Sequence, residues 1–99
     1  MFVVICEYEV REGSEAASEA LYGAVGAWVK LFGEHAGYLE TQLLLGEQPR
    51  HYLTIDRWTS AQAYPDFLDA SQVRYPQTDR LGDALTRSER CIGRYRTPC

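Results

Sequence analysis

Tyr52-Leu-Thr-Ile-Asp-Arg-Trp58-Thr-Ser-Ala-Gln-Ala-Tyr64 changes period partway along, from strand to helix. Up to Trp58 the residues alternate, with Leu53, Ile55 and Arg57 on one side and Tyr52, Thr54, Asp56 and Trp58 on the other, as a two-residue pleat requires. One face is mostly aliphatic, and the other mixes aromatic rings with polar groups. Thr59 or Ser60 then supplies an N-cap, its hydroxyl accepting a backbone N–H in the first turn of a helix. The last side chain of the strand therefore sits beside a helix mouth.

Outward from this junction, Tyr38 to Leu45 reads as a strand with three leucines in succession, and Gly46-Glu-Gln-Pro49 supplies the turn of a hairpin to the strand that begins near Arg50. Phe2 to Val10 alternates as a β-branched strand. Ser14 is a helix N-cap, and Ala17, Leu21, Val25, Trp28 and Phe32 recur at steps of three and four. That spacing predicts one helix of about five turns, closed by Gly33. Gly23 and Gly26 inside it each cost about 1 kcal/mol relative to Ala, and with Ala20, Ala24 and Ala27 they make small-residue rows where another backbone or a flat ligand can approach closely, close packing being the favoured reading.

On the other side, the helix after Trp58 runs through Ala61, Tyr64, Phe67 and Leu68, with Pro65 too deep for the preferred first position. Pro65 kinks the helix or moves its start later. Leu81, Ala84 and Leu85 suggest a further short helix, and Ser88 to Thr97 a last strand.

Strand, helix, strand, strand, helix, strand is the order of a ferredoxin-like α+β fold, βαββαβ, with a four-stranded antiparallel sheet and its helices on one face. The first two strands are apolar on both sides, so the bare face of the sheet is expected to meet that of an identical chain. The 99 residues make a single domain, 1–99, able to bury roughly 60–70% of the unfolded surface.

A formal charge of −4 argues against nucleic-acid binding, which needs a clustered basic face. No run approaches the ~20 apolar residues of a membrane helix. Met1–Cys6 lacks the basic start and length of a signal peptide, so a cytoplasmic location is the default. Cys6, Cys91 and Cys99 are an odd count without C-x-x-C spacing, which suggests neither a disulfide framework nor a zinc site. Cys6 and Cys91 fall in neighbouring strands of this fold and are expected to remain thiols in a reducing compartment.

The Val-rich first strand running into Glu-Tyr-Glu-Val-Arg-Glu-Gly, the loop Ala36-Gly37-Tyr38-Leu39 and the stretch Tyr52 to Tyr64 together resemble the antibiotic biosynthesis monooxygenase family. The resemblance covers nearly the whole chain and centres on a short Trp-x-Ser signature at Trp58 and Ser60. It implies a dimeric α+β barrel with a ligand cavity between sheet and helices in each protomer. It also implies that Trp58 and Tyr64 match cavity residues of the oxygenase branch, while Thr54 stands where that branch has asparagine. The expected cavity arginine has only Arg74 and Arg80 as nearby candidates, and the histidine ligand of the haem-degrading branch falls near Gln77 or Thr78.

A cofactor-free oxygenase has to hold a phenol among aromatic walls, remove its proton and steady the oxyanion. Trp58, Trp28, Phe32 and Phe67 are candidate walls; Thr54, Tyr64 and Tyr52 can orient substrate oxygens; Asp56 is the only carboxylate on its strand face and the candidate base. Desolvation in a closed cavity would raise the Asp56 pKa, whereas the competing reading makes Asp56 half of a cross-strand ion pair. The function expected is monooxygenation of an aromatic phenol or quinol in a homodimer, with no metal or other cofactor. The alternative is a non-catalytic binding or accessory protein of the same fold.

Overall fold

The computed structural model describes residues 1–98. Across them the chain forms β1 (Phe2–Val10), α1 (Glu15–Tyr22), α2 (Ala27–Phe32), β2 (Tyr38–Leu45), β3 (His51–Trp58), α3 (Ala63–Ala70), α4 (Arg74–Asp83) and β4 (Thr86–Arg96). The strands make one antiparallel sheet in the order β2-β3-β1-β4, and the helices lie on one side, as a ferredoxin-like α+β fold requires. No helix among the described residues is long and apolar enough to cross a membrane.

Alternation sets the two faces. Phe2, Val4, Cys6, Tyr8 and Val10 of β1 are buried while the residues between them are half-buried. In β3, Tyr52, Thr54 and Trp58 are buried. The face mixing rings with polar groups is therefore the one beneath the helices. Trp58 and Phe67 are fully enclosed. Around Trp58 the rings of Phe32, Tyr38, Phe67 and Tyr64 stand with centroids 5.2 to 5.5 Å away, the spacing of favourable edge and tilted aromatic contacts.

The expected five-turn helix is two helices. Gly23 and Gly26 both take extended backbone (ψ −177° and 173°), and Val25 between them is exposed rather than part of the apolar stripe. A Cβ on Gly26 would collide with the carbonyl oxygens of Ala20 and Leu21. The small residues thus serve close packing, but of this chain against itself at a break. Pro65 lies within the first turn of α3, where a missing N–H leaves no helical bond unmade. Ser60 Oγ accepts the Ala63 N–H at 3.2 Å and holds the entry to that helix.

A second correction concerns the cysteines. Cys6 and Cys91 are register partners on β1 and β4, which brings both sulfurs to one face, and they are joined by a disulfide rather than left as thiols. The bond links positions 85 residues apart, so it removes much of the freedom of the unfolded chain. Reduction is expected to lower the unfolding free energy by on the order of 4 kcal/mol. Urea midpoints with and without dithiothreitol check this, and the midpoint of Cys91→Ser should not respond to the reductant.

Candidate functional site

Between the sheet and the helices lies a cavity of about 40 Å³, room for about two or three water molecules. Its floor comes from the inner face of the sheet: Val4, Cys6 and Tyr8 of β1, Thr54 and Asp56 of β3, Thr41 of β2 and Cys91 of β4. Tyr22, Trp28, Phe32, Tyr64 and Tyr75 close it from the helical side. Asp79 on α4 and Glu89 on β4 complete the lining. Glu89 and Cys91 are exposed, so the cavity opens between α4 and β4.

Of the eight residues singled out in the sequence, Thr54, Asp56, Tyr64, Trp28 and Phe32 line the cavity. Trp58 and Phe67 stand behind that wall, in the ring cluster that backs Phe32 and Tyr64. Tyr52 points elsewhere: its hydroxyl donates to Glu19 Oε2 at 2.6 Å, and that bond pushes the tyrosine pKa up to about 12.

Among the described residues Asp56 has no ion-pair partner. Thr41 Oγ1 donates to its Oδ1 at 2.7 Å, and burial pushes its pKa up to about 6, with the Thr41 bond pulling the other way. Arg57, on the opposite face, pairs with Glu40 instead. Thr54 Oγ1 lies 3.2 Å from the Tyr8 hydroxyl, and burial raises the pKa of Tyr8, Tyr22 and Tyr75 alike. Nε1 of Trp28 is buried with no acceptor among the described residues.

Neither arginine candidate reaches the cavity. Arg74 pairs with Glu34 at the surface, and Arg80 is exposed. Arg94 comes closest, its guanidinium 5.0 Å from the centre of the Tyr64 ring, a cation–π contact. Simple alternation along the last strand groups Arg94 with Arg90 and Ile92. A bulge at Ile92 reverses that parity, since Cys6 pairs with Cys91 but Ile5 pairs with Gly93. Arg94 thereby joins Glu89 and Cys91 on the inner face, and the ring of Tyr95 packs over Gly93 on the outer one. Tyr8 was legible from alternation in β1, whereas Tyr22 and Tyr75 carry no signal beyond being aromatic on helices.

At the mouth, Asp79, Asp83 and Glu89 bring carboxylate oxygens within 4.8 Å of one another, close enough to share one cation. Burial, with mutual repulsion second, raises the pKa of Asp79 and Glu89. His35 is partly buried away from the cavity, edge-on to Phe67 and 3.3 Å from Ser71 Oγ.

The family model for antibiotic biosynthesis monooxygenase matches residues 1–75. Among solved structures, the fold is shared with SnoaB, a cofactor-independent oxygenase from Streptomyces nogalater (18% identity, 99% of this chain and 93% of that one, TM-score 0.77). It is shared also with a putative antibiotic biosynthesis monooxygenase from Nitrosomonas europaea (10% identity, 98% of each chain, TM-score 0.70). A conserved protein from Methanosarcina mazei gives 12% identity over 98% and 92% of the two chains, with a TM-score of 0.73. At these identities the likeness is one of fold. No curated protein matches the chain by sequence.

The raised Asp56 pKa has a sign that stability can read. The folded protein holds this proton more tightly than the unfolded chain, so stability is highest below about pH 4 on this group's account and falls as pH rises towards about 6. Asp56→Asn keeps an acceptor for Thr41 and removes the charge. It is expected to stabilise the protein at pH 7 by up to about 3 kcal/mol, with the difference from wild type vanishing near pH 4 in urea titrations.

Proposed function

The chain belongs to the antibiotic biosynthesis monooxygenase family, and on that footing we propose that it is a cofactor-independent monooxygenase of an aromatic phenol or quinol. The observation that carries the reading is Asp56. It is a carboxylate whose pKa of about 6 suits a base at neutral pH, set in the wall of a cavity lined mostly by rings and hydroxyls, with Asp79 and Glu89 at its mouth.

The substrate lies among Trp28, Phe32, Tyr64 and Tyr75, and Asp56 takes its proton. The resulting anion passes one electron to dioxygen, the radical pair combines to a peroxide anion, and Asp56 returns its proton to give a hydroperoxide. Loss of water from the hydroperoxide leaves a carbonyl on the product, so one oxygen atom ends in product and one in water. Trp28 Nε1–H, lacking an acceptor, and the Thr54–Tyr8 hydroxyl pair are the donors available to the oxyanion. Trp58 acts on substrate only through the rings it supports. The cavity is smaller than any phenol, so binding has to enlarge it.

Anthrone-like and quinol compounds incubated under oxygen test the reading. Turnover should rise with pH through about 6, fall at least 100-fold in Asp56→Asn and drop several-fold in Tyr64→Phe. Tight binding without product would instead favour the non-catalytic accessory protein.

The reading includes a homodimer. The outer face of the sheet carries half-buried Val3, Ile5, Leu53 and Ile55 beside Leu44 and Tyr95, which are 44% and 55% exposed. The ion pairs Glu7–Arg90 and Arg57–Glu40 flank them. An apolar strip of this kind suits the same face of a second copy. Sedimentation should give a dimer, and Ile55→Lys on this face should give a monomer.

A further inference from the structure

Tyr38 and Thr41 are three residues apart on β2, so in a regular strand they would point to opposite faces. They do not, because β2 is bulged: Tyr38 pairs with Trp58 while Glu40 pairs with Arg57, leaving Leu39 without a partner on β3. The extra residue returns Thr41 to the face that Tyr38 occupies, beneath the helices. There the Tyr38 hydroxyl donates to Thr41 Oγ1 at 2.8 Å and Thr41 donates to Asp56 Oδ1 at 2.7 Å. The direction of the row follows from chemistry. An ionised carboxylate only accepts, so Thr41 spends its single proton on Asp56 and has to accept from Tyr38.

Nothing else among the described residues holds this carboxylate. The titratable groups around it are the phenols Tyr8 of β1, Tyr22 of α1, Tyr38 of β2, Tyr64 of α3 and Tyr75 of α4, and at the cavity mouth the carboxylates Asp79 of α4 and Glu89 of β4. On the β1 side its register partner is Val4, whose own β4 partner is Arg94, and that guanidinium is spent on the Tyr64 ring. Bulges re-aim side chains beside functional sites, and this one has a visible product.

We propose that Thr41 and Tyr38 are positioning residues of the site, a two-hydroxyl row that the β2 bulge assembles to aim the Asp56 carboxylate at the cavity and keep it ionised. The proposal rests on the reading of Asp56 as the base, but the row can be tested without turnover. Hydrogen bonding to the charged form favours that form, so removing it shifts Asp56 towards the acid.

The test is a carbon-13 titration of the Asp56 carboxyl in wild type, Thr41→Val, Thr41→Ser and Tyr38→Phe. Valine matches threonine in shape, and its fold is checked by thermal melting. Thr41→Val should move the Asp56 midpoint up from about 6 by a unit or more, a tenfold change in protonation. Tyr38→Phe should move it the same way by less, and Thr41→Ser should restore the wild-type value. The rising limb of the pH–rate profile should move with the titration, with kcat in Thr41→Val falling about tenfold at pH 5 but only about twofold at pH 7, and KM little changed.

An Asp56 midpoint that is the same in folded Thr41→Val and wild type overturns the proposal, whatever the activity. Loss of turnover in Asp56→Asn alongside that unchanged midpoint would leave the base in place and remove the row. A shifted midpoint in a protein that oxidises no phenol would keep the row and remove the base.

Discussion

The register of β1 against β3 is the constraint on which the rest of the molecule depends. Phe2 stands opposite Trp58, Val4 opposite Asp56, Cys6 opposite Thr54 and Tyr8 opposite Tyr52. Because side chains alternate, this one choice puts every ring and hydroxyl of both central strands beneath the helices and every aliphatic residue of β3 on the other side. A slip of one residue would exchange the faces wholesale. Burial of Trp58 and Phe67 among the rings of Phe32, Tyr38 and Tyr64 holds the register. Losing either ring would cost about 3–5 kcal/mol, as large aromatic deletions from cores do.

What alternation governs was legible from the residues alone. The division of β1 and β3 into two faces, the hairpin between β2 and β3 and the order of elements all follow from two-residue and 3.6-residue periods, whereas which face of β3 lies beneath the helices does not. The misses fall where a period is broken. Glycines at 23 and 26 end a helix whose apolar spacing continues through them. Bulges at Leu39, near the start of β2, and at Ile92, midway along β4, reverse the parity of an edge strand, and so Thr41 and Arg94 arrive on the inner face unannounced. A single extra residue leaves hydrophobicity and composition unchanged, and only the partner strand reveals it.

The same two bulges explain why the cavity has an asymmetric chemistry. On the β2 side the wall offers neutral hydroxyls leading to Asp56. On the β4 side it presents Glu89, Cys91 and, across the Tyr64 ring, Arg94. The central strands supply the floor and with it Tyr8, Thr54 and Asp56, and each edge adds polar groups of its own. Burial then pushes the pKa of an ordinary aspartate up to about 6, with the Thr41 hydrogen bond as the counterweight.

The Cys6–Cys91 bond was introduced above as a constraint on the unfolded chain. It has a topological meaning for the folded one as well. Every loop that connects an element to the next, from Arg11 to Leu85, lies inside the covalent ring that this bond closes. A single backbone cut anywhere in that interval opens the ring without dividing the molecule. The amino-terminal strand stays tethered to the carboxy-terminal one, and the two remain neighbours in the sheet. Proteolytic nicking of this protein yields one particle of unchanged mass, apart from a water molecule, until the sulfur bridge is broken.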